Sequence, residues 1–195
     1  TLSAHPETQP GSRHVAVCIA TYKRPQGLDA LLGSLDAIDT ADLAVRLTLV
    51  IVDNAPQSPA SEELGTLSER TRWPVIYLME SRRGIVSARN RCLQNVPADA
   101  DYIAFLDDDE TVSENWLRGM LATADRGGAA AVQGPVEPRY ERPPPAWIEE
   151  MGVFRVGPFR QDAVLVSAAT NNSMIDARFV REHDLAFDMR FNTSG

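Results

Sequence analysis

Apolar residues recur along this chain in two alternating rhythms. His14-Val-Ala-Val-Cys-Ile-Ala20 is a short apolar run closing on polar residues, the pattern of a buried strand. Leu28, Leu31, Leu32 and Leu35 follow at helical spacing, so a helix packs back on that strand. A second strand, Leu47 to Val52, closes on Asp53-Asn54. Ser58 as N-cap and Pro59 as first helical residue predict a helix through Ser61 to Leu67. Val75 to Met79 is the third strand, and Ile85, Ala88, Cys92, Leu93 and Val96 make the buried stripe of the next helix. Tyr102 to Leu106 is the fourth strand and runs straight into Asp107-Asp108-Asp109. Thr111 to Glu114 matches a capping box ahead of a helix burying Trp116, Leu117, Met120, Leu121 and Ala124.

Strand and helix in repeated alternation predict an α/β fold, a Rossmann-like, mostly parallel sheet with helices on both faces. Such sheets bind ligands at the carboxyl ends of their strands. Polar residues gather at those ends: Thr21-Tyr22, Asp53-Asn54 and Asp107 to Asp109. After Val136 the composition changes. Pro138 to Trp147 is rich in proline, which a central sheet does not admit, and reads as a surface loop. Val164 to Val166 and Ser173 to Ile175 predict short strands, and Ala177 to His183 a helical turn.

The length, 195 residues, suits one domain with a sizeable core. Residues 1–13 predict a flexible leader, 14–136 a ligand-binding half, and 137–195 a second half of the same domain. A net charge of −8 disfavours nucleic acid and anionic lipid as partners. Cys18 and Cys92 sit in apolar settings and predict reduced core thiols, which fits a cytoplasmic compartment, the inner face of the membrane included. No apolar run approaches the roughly 20 residues of a membrane span. The leader lacks the apolar stretch of a signal peptide. The two glycosylation sequons, at Asn171 and Asn192, are chance matches in such a protein. His5, His14 and His183 are scattered and predict no metal cluster.

The acidic triplet is the sharpest feature. Adjacent carboxylates repel unless a cation sits among them. Mg²⁺ characteristically takes one or two carboxylates plus substrate phosphates. A solvated acidic turn ahead of a helix is the competing reading. An EF-hand fails, because Val112 stands where glycine is needed and Arg118 where a bidentate glutamate is needed. No phosphate-binding or dinucleotide glycine motif is present, so phosphates would be met by metal, arginines and helix N-termini.

Taken in order, Val17 to Pro25, Val50 to Asn54, Arg83 to Asn90, Asp107 to Asp109 and Ala169 to Met174 resemble the conserved segments of family 2 glycosyltransferases. The resemblance runs from about Val15 to the end. It implies a GT-A-type fold and transfer of a sugar, with inversion, from a nucleoside diphosphate, by default UDP, to a saccharide or lipid-linked acceptor. Thr21, Tyr22 and Arg24 would line the nucleotide pocket. Asp53 would accept a hydrogen bond from the base, Gly84 would let backbone approach the nucleotide, and Arg83 or Arg89 would face base or diphosphate. The competing place for Arg89 is a solvated helix face. Asp107 would contact ribose or metal and Asp109 the metal, Mn²⁺ or Mg²⁺; Asp108 stands between the two roles. The family's general base would fall after Gly195, as if the chain were truncated there, with Asp176, Asp184 and Asp188 as substitutes that spacing does not separate. Trp147 and Tyr140 would stack on a sugar or, more in keeping with aromatic packing, anchor their loop on the core. A nucleotidyltransferase and a non-catalytic nucleotide-sugar-binding module remain open at this level.

Overall fold

A computed structural model describes residues 12–140, 142–157 and 163–192. Most of the expected leader and the last three residues lie outside that range. The first strand, β1 (Arg13–Thr21), leads to α1 (Pro25–Asp36), β2 (Val45–Asp53), α2 (Ala60–Leu64) and β3 (Val75–Met79). Then come α3 (Ile85–Leu93), β4 (Tyr102–Asp107), α4 (Trp116–Gly127), β5 (Ala131–Gln133), α5 (Ala146–Met151), β6 (Ser173–Asp176) and α6 (Ala177–Glu182). The six strands form one sheet in the order β3-β2-β1-β4-β6-β5. β3, β2, β1 and β4 are mutually parallel, and β6 runs antiparallel to both of its neighbours.

The period-two alternation of β1 explains why both faces are covered. Val15, Val17 and Ile19 meet Leu28, Leu31, Leu32 and Leu35 of α1 and Leu117 and Leu121 of α4 on one face. Ala16 and Cys18 meet Ala88 and Cys92 of α3 and Ala177 and Val180 of α6 on the other. The second face carries smaller residues, so α3 lies close against the sheet. Each fully buried leucine of α1 contributes roughly 1.5–3 kcal/mol by leaving water. Cys18 and Cys92 are free and buried. Burial pushes the Cys18 thiol well up, with the neighbouring Cys92 adding to it.

Several predicted boundaries shift for identifiable reasons. The second helix begins at Ala60 behind Pro59, and Ser58 instead closes a turn onto the Ala55 carbonyl at 2.9 Å. Gly65, at φ +73°, stops it at Leu64, three residues short of Leu67. The capping box does not form: α4 starts at Trp116 behind Asn115, with no side-chain cap, and the Glu114 carbonyl accepts from Asp39 N. α3 ends at Leu93 rather than Val96. Val164 and Val166 are fully exposed and form no strand, since no described strand lies opposite them to pair with. β5 and α5, neither of them expected, stand on either side of the proline-rich run.

Candidate functional site

The carboxyl ends of β1, β2 and β4 form one rim. β4 ends at Asp107, and the turn that follows distributes its carboxylates in different directions. Asp108 folds back beneath β1: its Oδ2 accepts from Thr21 Oγ1 at 2.8 Å and from Tyr22 N at 3.3 Å, and its Oδ1 from Arg24 Nη1 at 3.3 Å. It is buried, and that burial raises its carboxyl above the ordinary range against the pull of those donors. Gly27 of α1 abuts the same turn; a Cβ there would lie 2.4 Å from the Asp108 carbonyl oxygen. Asp107 and Asp109 face outward, with side chains 36% and 59% exposed. Arg89 Nη2 donates to Asp107 Oδ1 at 2.8 Å, and Arg24 Nη1 to Asp109 Oδ2. Glu110 turns back on the strand, its Oε2 accepting from Asp107 N and its Oε1 from Asn171 Nδ2, both at 3.0 Å. Burial raises its carboxyl as well.

At the tip of β2, Asp53 is fully buried. Its Oδ1 accepts from Ala55 N at 2.9 Å, and its Oδ2 from Ala60 N at 2.7 Å and Tyr77 Oη at 2.8 Å. The expectation of an unpaired carboxylate there is therefore corrected: three protein donors occupy it. Burial is also the main reason the Tyr77 hydroxyl is pushed up to about 12, with Asp53 adding to it. The adjacent Asn54 stands on the cleft wall, with its amide spent on the loop ahead of α3. Its Oδ1 accepts from Gly84 N at 2.8 Å, and its Nδ2 donates to Glu80 O at 2.7 Å and Arg82 O at 3.0 Å, tying the loop ahead of α3 to the β2 tip. Gly84 has φ +124°, which a side chain would strain. The Arg83 guanidinium lies 4.0 Å from the Tyr22 ring centroid and hydrogen-bonds its hydroxyl.

Between these groups lies a cleft of about 470 Å³, with Thr21, Tyr22, Arg24, Arg83, Gly84 and Asp108 on its walls. Ala20, Asn54, Ile85 and Ala88 complete it. Ile85, placed by periodicity on the buried stripe, is 37% exposed there. A second cavity, about 940 Å³, opens on the other side of the carboxylate turn and takes in Asp107, Asp109, Glu110, Trp116, Gln133 and Asn171. The acidic turn is thus the wall between two cavities. Arg89 is 16% exposed in its side chain and points at the rim, so it does not lie on a solvated helix face. No group of three or more His, Cys, Asp or Glu side chains capable of holding a metal occurs among the described residues. Two outward carboxylates are nevertheless the hard oxygen donors that a cation shared with a diphosphate requires, so Asp107 and Asp109 fit such a cation and the inward Asp108 does not.

The substitute bases separate by position. Asp176 pairs across from Tyr102, at the end of β4 opposite Asp107, and caps α6 by accepting from Arg178 N and Phe179 N. Asp188 caps the 3-10 turn Met189–Phe191 and pairs with Arg190. Asp184 adopts φ +47° just past α6. Trp147 is 56% exposed, which corrects the expectation that it anchors its loop on the core. Sequence reasoning gave no role to Glu110, nor to Asn192, which reaches back to the Gly84 loop; glutamate directly after the triplet was the signal available for the first, and no local pattern marks the second.

A parallel α/β sheet with a carboxylate turn beside a rim cleft defines the GT-A class of fold, and solved structures bear this out. The chain resembles S. aureus TarS in complex with UDP with a TM-score of 0.67 at 16% identity, over 92% of this chain and 52% of that one. It resembles the mannosyltransferase PcManGT from Pyrobaculum calidifontis, in complex with GDP-Man and Mn²⁺, with a TM-score of 0.60 at 18% identity, over 93% of this chain and 49% of that one. The profile of Glycosyl transferase family 2 matches residues 16–183, and the chain belongs to that family. It is 38% identical over 135 residues to the succinoglycan biosynthesis protein ExoM of Rhizobium meliloti, covering 69% of this chain and 42% of ExoM. It is 37% identical over 113 residues to ExoW of the same organism, covering 57% of this chain and 34% of ExoW. The chain thus spans less than half the length of either relative. No helix of the described residues is long and apolar enough to cross a membrane.

Proposed function

We propose that this chain is the donor-binding core of an enzyme that transfers a sugar, with inversion, from a UDP-sugar to an acceptor hydroxyl in polysaccharide biosynthesis, with Mn²⁺ or Mg²⁺ as cofactor. The observation that carries the reading is the common rim: Thr21, Tyr22, Asn54 and Gly84 line a cleft that the acidic turn divides from a second cavity. Family membership and the UDP complex of a protein with this fold support the choice of donor.

On this reading Tyr22 and Arg83 form a flat wall for the nucleotide base, since a guanidinium stacked on a phenol presents little that water must leave expensively. Gly84 contributes backbone to the cleft wall, and its missing side chain makes room for Asn192. Asp107 and Asp109 hold the cation, which when bound neutralises charge on the departing diphosphate. Arg24 and Arg89 reach the same place with fixed positive charge. The acceptor sits in the larger cavity, where Asp109, Glu110, Asn115, Gln133 and Asn171 offer the carboxylates and amides that sugar hydroxyls use. Its hydroxyl oxygen bonds to the anomeric carbon as the bond to the diphosphate oxygen breaks. The proton passes to a carboxylate base.

The test is calorimetry of UDP binding with and without Mn²⁺, followed by Asp109→Ala. The reading expects manganese-dependent UDP binding that Asp109→Ala abolishes while thermal melting is unchanged. Equal UDP affinity in both proteins would remove Asp109 from its role. Pyrophosphate release from a sugar phosphate and a nucleoside triphosphate would favour a nucleotidyltransferase instead.

A further inference from the structure

Each outward carboxylate of the acidic turn is already matched by a guanidinium. Arg24, from the turn after β1, holds Asp109 and touches Asp108; Arg89, from α3, holds Asp107 at 2.8 Å. The two arginines come from different parts of the chain, Arg24 from the wall of the cleft and Arg89 from α3. Arg89 is braced: its guanidinium lies 5.9 Å from the Phe187 ring centroid, and Phe187 is packed edge-on against Phe105 with centroids 5.4 Å apart. Phe187 is itself pinned by Asn90, which accepts from Phe187 N at 2.8 Å and donates to Phe187 O at 2.9 Å. The Arg89–Asp107 pair thus sits where α3, β4 and the segment after α6 meet.

We propose that Arg24 and Arg89 are internal counter-ions that occupy Asp109 and Asp107 until a donor diphosphate claims their guanidiniums. This rests on the donor-binding reading above and goes beyond it. Without the diphosphate, a divalent cation approaching the turn meets two carboxylates neutralised by two fixed cations, and like-charge repulsion opposes its entry. A diphosphate offers each guanidinium a bidentate partner of higher charge. Once the arginines swing onto it, both carboxylates are released together. The arginines thereby make cation and donor bind as a coupled pair, and they keep the cation site closed to free divalent ions.

The experiment measures Mn²⁺ affinity alone, UDP affinity alone, and each in the presence of the other, for wild type and for Arg24→Gln, Arg89→Gln and the double variant. Wild type should bind Mn²⁺ weakly alone and about ten-fold or more tightly with UDP, with the reciprocal gain for UDP. The double Gln variant should bind Mn²⁺ alone several-fold more tightly than wild type, bind UDP more weakly, and lose most of the coupling. Arg24→Lys and Arg89→Lys keep the charge and should leave Mn²⁺-alone affinity near wild type, which also guards against a Gln variant that misfolds. If wild type binds UDP with Mn²⁺ but the Gln variants bind Mn²⁺ alone no better than wild type, the counter-ion role is overturned while the donor site stands. If the Lys variants gain Mn²⁺ affinity as the Gln variants do, charge is not the cause and the role is likewise overturned. Wild type that takes no UDP at all overturns both readings.

Discussion

Asn192 is docked against Gly84. Its Oδ1 accepts from Ser87 N at 3.1 Å and its Nδ2 donates to Arg83 O at 3.0 Å, while a Cβ on Gly84 would stand 2.1 Å from that same Oδ1. Asn192 thereby caps the first turn of α3 and shapes one wall of the cleft, although the two are 108 positions apart in the sequence.

Gly84→Ala should fail on two counts. The methyl group displaces Asn192, and φ +124° is closed to alanine. The expected loss is about 1–3 kcal/mol of folding stability in urea denaturation, together with weakened UDP binding. Unchanged stability would show that the loop has an alternative path.

Asn192→Ala leaves Ser87 N without its cap and Arg83 O without its donor. A cost of about 1 kcal/mol is expected, in the range of other cap removals. Calorimetry should also register weaker UDP binding, because the carbonyl that Asn192 holds belongs to the residue stacked on Tyr22.

Asp108→Asn and Asp109→Asn should separate cleanly although the residues are adjacent. Asp108 accepts two hydrogen bonds at Oδ2 from Thr21 and Tyr22, and an amide there turns an NH₂ or a lone weaker oxygen towards those donors. About 1–3 kcal/mol of stability should be lost. Asp109 is exposed, and its substitution should move stability by no more than about 0.5 kcal/mol.

His14 gives the fold a pH dependence of known sign. Its ring is buried, with Nε2 2.9 Å from Thr48 Oγ1 and Nδ1 3.1 Å from Asp99 Oδ1. Burial first, and Arg46 second, lower its pKa, against the opposing pull of Asp99 and Asp101. The unfolded chain therefore takes up a proton at His14, near its ordinary 6.5, before the folded chain does. The contribution is fully present above that value and is lost as pH falls below it towards the folded pKa. Urea midpoints measured from about pH 8 down to about pH 5 should fall more steeply for wild type than for His14→Gln. Equal slopes would show that His14 titrates alike in both states.

Much of the fold was legible because its signals are local. Four parallel strands and the helices between them follow from apolar runs and leucine spacing, and the strand-end polar residues do converge on one rim. What escaped was set by distant partners. β5 is three residues long and exists because β6 lies beside it, and Val164 to Val166 has strand-like residues with no strand to join. In the site, the side chains of Asp53 and Asp108 were legible as polar but not as buried. That depended on amide donors from Ala55, Ala60 and Tyr22, which turn geometry alone supplies. Arg89 was ambiguous between surface and site because its partner, Asp107, is on another element.

The reversal of β6 has an effect on what this architecture tolerates. β5 leaves the sheet at Gln133, and the chain comes back into β6 at Ser173, directly across from it; Gly134 N and Asn172 O are joined at 2.8 Å. The excursion from Gly134 to Asn172 begins and ends at the same gate, beside the larger cavity. Between the anchors Gly134 and Asn171-Asn172, which hold one another, Trp116 and Glu110, the excursion can change in length without shifting the register of any strand. On the proposed reading, a change of acceptor would be written into this excursion and would leave the strands that carry the cleft as they are.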